Sequence, residues 1–229
     1  MTASAELDRL QRRLGYRFRD PQLLALALTH RSAGAANNER LEFLGDGLIN
    51  FVVAEALYRA RPDAEEGDLS RLRASLVCED SLARLAEGLG LGEVLTVGGG
   101  TLKSGGFRSA PILADTLEAV LGAVYLDGGF DAGRAACEQV LATALAQLPD
   151  AASLKDAKTR LQEHLQAHSR PLPVYELLSS EGPEHRPSFK VCCRLTDARE
   201  VTEGVASNRR AAEQNAAERM LRVLEVAHA

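Results

Sequence analysis

The sequence predicts two folded parts of different class: an all-α N-terminal region over residues 1–148 and a smaller C-terminal α+β module over 157–227, joined by 149–156. Three observations lead there. Apolar residues recur at helical intervals through the first part, with no strand-like alternation. Pro149-Asp150-Ala151-Ala152-Ser153 is small, polar and turn-prone, as linkers are. Beyond it the period changes to two, with Phe189, Val191, Cys193 and Leu195 alternating against Lys190, Cys192 and Arg194.

Taken in order, residues 6–32 read as helical, with Pro21 near the start of a second helix that carries Leu23, Leu24, Leu26 and Leu28. The next helix begins near Asn37 and is stopped by Pro62. Its Leu41, Leu44, Leu48 and Val52 are spaced to face a core, while Glu39, Glu42 and Asp46 share another face at i, i+3 and i+7. An acidic loop over 63–68 leads into a helix with Leu69, Leu72, Leu76 and Val77, and Glu66 stands at the junction, where the helix dipole favours a carboxylate. Val97-Gly98-Gly99-Gly100 and Ser104-Gly105-Gly106 bracket a loop expected to be flexible. Pro111 opens a helix that is apolar nearly all round and so reads as buried, yet it carries Asp115 and Glu118 at i and i+3. The last helix of this part, about 131–148, presents Val140, Leu141, Ala144, Leu145 and Leu148 as its apolar stripe.

The C-terminal module reads as a helix over 157–168 with Leu161 and Leu165 inward, then strands over 174–179, 188–195 and about 200–206, then a helix over 208–226. The order is α-β-β-β-α.

Composition is that of an ordinary globular chain, 45% hydrophobic and 26% charged, with a net charge of −5. The acidity is uneven: residues 1–153 hold 15 Lys+Arg against 21 Asp+Glu, and 154–229 hold 12 against 11. Affinity for a polyanion must therefore come from local basic patches and bound cations. No stretch approaches the ~18 apolar residues of a membrane span, and the N-terminus lacks a signal-like pattern, so the expectation is a cytoplasmic protein with no membrane partner. Cys78, Cys137, Cys192 and Cys193 have no metal or redox spacing and read as reduced small hydrophobes. His164 and His168 are spaced like a zinc pair but lack a further ligand, and the glycine-rich loop lacks the Gly-Lys-Ser/Thr of a phosphate-binding loop. No small-molecule cofactor is expected.

Carboxylates in apolar helices require compensation, because desolvated like charges raise one another's pKa. All-oxygen ligands suit Mg²⁺, with Mn²⁺ as a substitute, rather than zinc. A di-iron bundle would place His three residues after each Glu; Gly45 and Leu121 stand there.

Asn38-Glu39-Arg40-Leu41-Glu42-Phe43-Leu44-Gly45-Asp46 resembles the signature of bacterial ribonuclease III. Thr29-His30-Arg31-Ser32, Glu66-Gly67-Asp68-Leu69-Ser70-Arg71-Leu72-Arg73-Ala74, Ser104-Gly105-Gly106-Phe107 and Ile112-Leu113-Ala114-Asp115-Thr116-Leu117-Glu118-Ala119 follow the family's order, and the likeness covers essentially the whole chain. The resemblance implies an endoribonuclease that cleaves double-stranded RNA with bound Mg²⁺, leaving 5′-phosphate and 3′-hydroxyl ends with short 3′ overhangs. It implies a metal centre of Glu42, Asp46, Asp115 and Glu118, with Asp46 and Glu118 closest to the chemistry and Glu39 and Glu66 as auxiliary acids. It also implies a homodimer through the nuclease region, and substrates among ribosomal precursors and some messenger and transfer RNAs. A double-stranded RNA-binding protein that kept the fold without cleavage is the alternative.

Ser207-Asn208-Arg209-Arg210-Ala211-Ala212-Glu213-Gln214-Asn215-Ala216-Ala217 resembles the second helix of a double-stranded RNA-binding domain. The resemblance implies RNA contacts from Gln162 and Glu163, from His185 in Pro183-Glu184-His185, and from Arg209 and Arg210 at a helix N-terminus, where free N–H groups add to the positive field. Glu213 departs from the family, many members of which have a third basic residue there, and this implies a weaker phosphate contact from that turn.

Overall fold

A computed structural model describes residues 3–103, 105–183 and 186–227. The chain divides into two compact units, Met1–Leu154 and Lys155–Ala229.

The first unit is helical: α1 (Ala3–Leu14), α2 (Pro21–Ala27), α3 (Glu39–Ala60), α4 (Glu66–Val77), α5 (Glu79–Leu89), α6 (Gly99–Lys103), α7 (Ala110–Gly128) and α8 (Phe130–Ala146). The local signals behave as their chemistry demands. Asp20 caps α2 by accepting from Gln22 N–H, with Pro21 inside the first turn. Gly90 ends α5 in the left-handed conformation at φ 80°, which a side chain would strain.

The centre of the unit is α7. Leu113, Ala114, Leu117 and every residue from Ala119 to Val124 are buried on it, so it has no solvent stripe and is enclosed by neighbours. Helices α2, α3, α5 and α8 all pack against it. Full burial of one leucine such as Leu117 stabilises the fold by about 2 kcal/mol, and α7 repeats this along its length.

The closest approach is between α3 and α7, and glycine permits it. A Cβ on Gly45 would collide with the carbonyl oxygen of Glu118, and one on Gly122 would collide with that of Leu41. The core face of α3 therefore runs through Leu41, Gly45, Leu48, Ile49, Val52 and Val53, while Leu44, expected in the core, is only half-buried. Leucine spacing misplaces it because the smallest residue, not the largest, sits where the helices touch.

Three other segments differ from the sequence reading. α5 is absent from the helices expected from periodicity, although its buried Leu82, Ala83, Ala86 and Leu89 stand at i, i+1, i+4 and i+7 and form a clear apolar stripe. The glycine-rich loop contains α6, held through Gly98 N–H donating to Ser32 Oγ; this contact overrides the poor helix propensity of glycine. Ala151–Leu154, placed in the linker, forms a 3-10 turn, and its Ala151 and Leu154 pack on the core of the first unit.

The second unit is α9 (Ala157–Ala167), β1 (Val174–Glu181), β2 (Ser188–Arg194), β3 (Val201–Ala206) and α10 (Arg209–Ala227). The strands form one antiparallel sheet in the order β1-β2-β3, with a register shift between Leu177 and Ser179. Leu161, Leu165, Cys193, Leu195, Ala216, Ala217, Met220, Leu221 and Leu224 make its core. Gly204 lets β3 press against α10, since a Cβ there would strike Ala212 O. Cys192, expected on the solvent face, is buried: it pairs with Glu176 and Glu203, and the Arg194–Glu176 and Lys190–Glu203 ion pairs close over it.

Gly45→Ala is expected to lower stability by about 3 kcal/mol, at the upper end for an overpacked core, because the methyl has backbone rather than a yielding side chain against it. Denaturant unfolding of the two proteins measures this, and a loss under about 0.5 kcal/mol would contradict the tight crossing.

Candidate metal centre and nucleic-acid interface

Glu42 lies on α3, and Asp115 and Glu118 on α7. Because the two helices cross so closely, one carboxylate oxygen from each of these residues lies within 4.8 Å of the others. Their side chains are neither fully buried nor free in water. Gly45 belongs to the same turn as Glu42 and touches the carbonyl of Glu118, so the contact that joins the helices also joins the acids.

The electrostatic consequence is large. Burial, and after it the charges of Asp46, Asp115 and Glu42, push the Glu118 carboxyl up to about 8. Glu42 is raised by burial and then by Asp115 and Glu39, with Arg31 opposing. Asp115 is raised by burial, with His30 and Arg31 pulling it back. No lysine or arginine enters this cluster as a close ion-pair partner among the described residues. The arrangement is short of positive charge, and a divalent cation with oxygen preference fits the donor set.

The remaining expected acids take different places. Asp46 is exposed on the next turn of α3 and is not one of the converging oxygens, yet its charge is the first neighbour felt by Glu118. Its Oδ1 accepts from Asn50 Nδ2 at 2.7 Å, and Asn50, which motif reading passes over, also reaches the Asp46 carbonyl. An amide four residues on from a carboxylate in a helix is the signal that was available. Glu39 faces Arg31 at 3.5 Å on the rim. Glu66 is not brought to the cluster within the chain: its Oε1 accepts from Ser70 Oγ at the start of α4, beside Ala54, Leu57 and Tyr58.

In the second unit, Asn208 caps α10 through its Oδ1, which accepts from Ala211 N–H, and this sets Arg209 and Arg210 in the exposed first turn. Arg209 pairs with Glu213 at 3.0 Å. Glu213 also binds Lys158 at 2.6 Å, an interaction that leads the causes holding its carboxyl below the ordinary range. Lys158 in turn lies 4.5 Å over the Tyr175 ring. Glu213 therefore does not stand as a bare negative charge against a phosphate. It is a hub between two cations, and Lys158, on a different helix, was not legible as its partner. Gln162 is exposed on α9. Glu163 is exposed but engaged, with both oxygens 2.7 Å from Lys155 Nζ. His185 and Glu184 lie outside the described residues.

Residues 20–145 match the family described as Ribonuclease-III-like, and 157–224 match the double-stranded RNA binding motif. Ribonuclease 3 of Alkalilimnicola ehrlichii is 58% identical over 221 residues, covering 96% of this chain and 97% of its own length. The chain belongs to the ribonuclease III family. Ribonuclease 3 of Hahella chejuensis is 49% identical over 97% of this chain and 99% of its own length. Among solved structures, the nuclease domain of ribonuclease III from Campylobacter jejuni is 40% identical and superposes with a TM-score of 0.59, covering 62% of this chain and 97% of that domain. A second structure of that domain, with a TM-score of 0.58 and 40% identity over 60% of this chain and 96% of its own, is described as flexible in a region involved in dimer formation. As a ribonuclease III, the protein is an endoribonuclease acting on double-stranded RNA. No helix among the described residues is long and apolar enough to cross a membrane.

Linkage fixes the sign of a pH effect. A carboxyl raised in the fold from 4.5 to about 8 contributes stability below pH 4.5 that is lost as pH rises through about 8, because the unfolded chain ionises first. In chelator, Glu118→Gln should melt with the wild type near pH 4.5 and above it at pH 8 and beyond. Thermal melts from acid to alkaline pH test this, and parallel curves would show that Glu118 is not held among like charges.

Proposed function

We propose that the chain hydrolyses phosphodiester bonds of double-stranded RNA at a Mg²⁺ centre formed by Glu42, Asp46, Asp115 and Glu118, with Mn²⁺ able to substitute. The observation that carries this is the convergence of carboxylate oxygens from α3 and α7 within 4.8 Å, in a setting that already holds Glu118 largely protonated at neutral pH without metal. When bound, the ion supplies an activated water and offsets charge developing on the leaving 3′ oxygen. Glu42, Asp115 and Glu118 are the residues that would hold it directly, and Asp46 would complete the centre through water. Glu118, the most strongly shifted, must release its proton as the cation enters, so metal affinity rises with pH through about 8. Asp46, braced by Asn50, keeps an outward carboxylate to orient the attacking water. Products are 5′-phosphate and 3′-hydroxyl ends.

The second unit supplies duplex affinity. Arg209 and Arg210 at the start of α10, with Lys158 beside them through Glu213, present a cationic face suited to phosphates. Gln162, Glu163 and His185 are assigned to the minor-groove contacts, where shape and 2′-hydroxyls are read rather than base sequence.

Cutting both antiparallel strands calls for twofold-related sites. α3 carries the surface for this: Phe43, Phe51 and Tyr58 are 82%, 55% and 73% exposed on it, and Phe43 borders a groove of about 370 Å³ with Leu44, Phe51, Tyr125 and Phe130. Solvated aromatics in a row mark an interface. Glu66 lies at the Tyr58 end of the row and the acids at the Phe43 end. A twofold running two copies of α3 antiparallel would bring Glu66 of one copy towards the acid cluster of the other, in keeping with an auxiliary role despite its separation within the chain. Paired sites offset along the duplex leave short 3′ overhangs. A cytoplasmic protein acting on ribosomal precursors and some messenger and transfer RNAs is the corresponding cellular role.

Incubating the protein with a long RNA duplex should give short products with Mg²⁺ and none with chelator. Glu118→Gln should bind the duplex and cut at least ~10³-fold more slowly, because a ligand of the ion that stabilises the transition-state charge is lost while the RNA-binding unit is untouched. A variant that still cuts at the wild-type rate would sink the assignment, and a wild type that binds without cutting under any metal would favour the non-cleaving alternative. Phe43→Asp should shift the protein from dimer to monomer in sedimentation equilibrium; an unchanged mass would move the interface elsewhere.

A further inference from the structure

Thr29-His30-Arg31-Ser32 has a place in the structure but no part in the chemistry assigned so far. The segment is fastened largely by backbone groups. Thr29 O accepts from Asn38 N–H, His30 N–H donates to Thr96 O, and Ser32 Oγ accepts from Gly98 N–H. His30 caps the short turn at Arg31–Ala33, its Nδ1 accepting from Ser32 N–H. Gly98 sits so close that a Cβ there would strike the Ser32 carbonyl.

Held in this way, the chain projects Arg31 over the first turn of α3. Its Nη1 lies 3.5 Å from Glu39 Oε1, with the two side chains 70% and 52% exposed. That is a long contact in water and worth little. Glu39 stands three residues before Glu42, so the guanidinium hangs at the rim of the metal centre rather than inside it. Its charge is nevertheless felt by both Glu42 and Asp115.

The cluster itself offers an RNA strand only carboxylates, and the first unit as a whole is acidic. Something at the rim must receive the phosphates. We propose that Arg31 is a substrate-binding residue whose guanidinium exchanges Glu39 for the RNA phosphate neighbouring the scissile one. A planar fork suits a phosphate bidentately, and the contact given up is weak, so the exchange favours the bound strand. Glu39 then serves as the resting partner that keeps Arg31 extended along the rim. This inference rests on the acid cluster being the cleavage site.

The test uses the full-length protein, a blunt RNA duplex and saturating Mg²⁺, with kcat/KM followed from about 50 to about 200 mM salt. Arg31→Ala should lower kcat/KM about tenfold and make the slope of log kcat/KM against log salt shallower by about one, the signature of one lost phosphate contact. Arg31→Lys should keep the wild-type slope and recover part of the rate, as a point charge without the fork does. The Mg²⁺ concentration giving half-maximal rate should not move in either variant. A wild-type slope in Arg31→Ala overturns the proposal, and so does a shifted Mg²⁺ requirement with an unchanged slope, which would mean that Arg31 acts on the carboxylates and not on RNA. Should Arg31→Ala fail to fold, Arg31→Gln carries the same decision. The underlying site is judged separately: a Glu118→Gln protein that cleaves like the wild type refutes the cluster as the cleavage site whatever Arg31 does.

Discussion

Helices α3 and α7 touch backbone to backbone because Gly45 and Gly122 carry no side chain at the crossing. Any other residue at Gly45 would meet the carbonyl of Glu118 and hold the helices apart. The distance between those axes is the distance between Glu42 on one helix and Asp115 and Glu118 on the other, so packing and chemistry are set by one contact. On the otherwise buried helix α7, Asp115 and Glu118 stand where the burial is incomplete, facing Glu42 of α3. The rest of the unit, with α2, α5 and α8 closed around α7, keeps the crossing rigid.

The cluster is poised by what it lacks. Burial raises Glu118, Glu42 and Asp115 together, repulsion among the acids raises Glu118 and Glu42 further, and Arg31 opposes at Glu42 and Asp115 from the rim. A site in that condition is unfavourable when ionised and empty, and becomes favourable when a doubly charged ion replaces the protons. Strain of this kind works against stability, since apolar residues would pack α7 more comfortably.

The RNA-binding unit handles charge in the opposite way. Glu213 gathers Lys158 from α9 and Arg209 from α10, and Lys158 rests on Tyr175 of β1, so one acidic residue ties two helices and the sheet into a fixed cationic face. What looks in the sequence like an interruption of a basic run is a clamp that orders it.

Much was legible from the chain alone. Period and proline placement gave α3, α7 and the α-β-β-β-α order, and the spacing of Glu39, Glu42, Asp46, Asp115 and Glu118 marked the acids, because these are properties of residues three to four apart on a single helix. The sequence by itself determined which residues could carry charge into an apolar helix and which family they resemble. Only the tertiary structure decided that Asp46 stays outside the converging oxygens, that Glu66 is not brought to them within one chain, that Leu44 yields its core place to Gly45, and that Glu213 is paired with Lys158. Each of these depends on contacts between residues distant in the chain, where the absence of a side chain or the reach of a lysine matters more than local pattern. Periodicity reports only which face of a helix a residue occupies; what that face meets is set by packing.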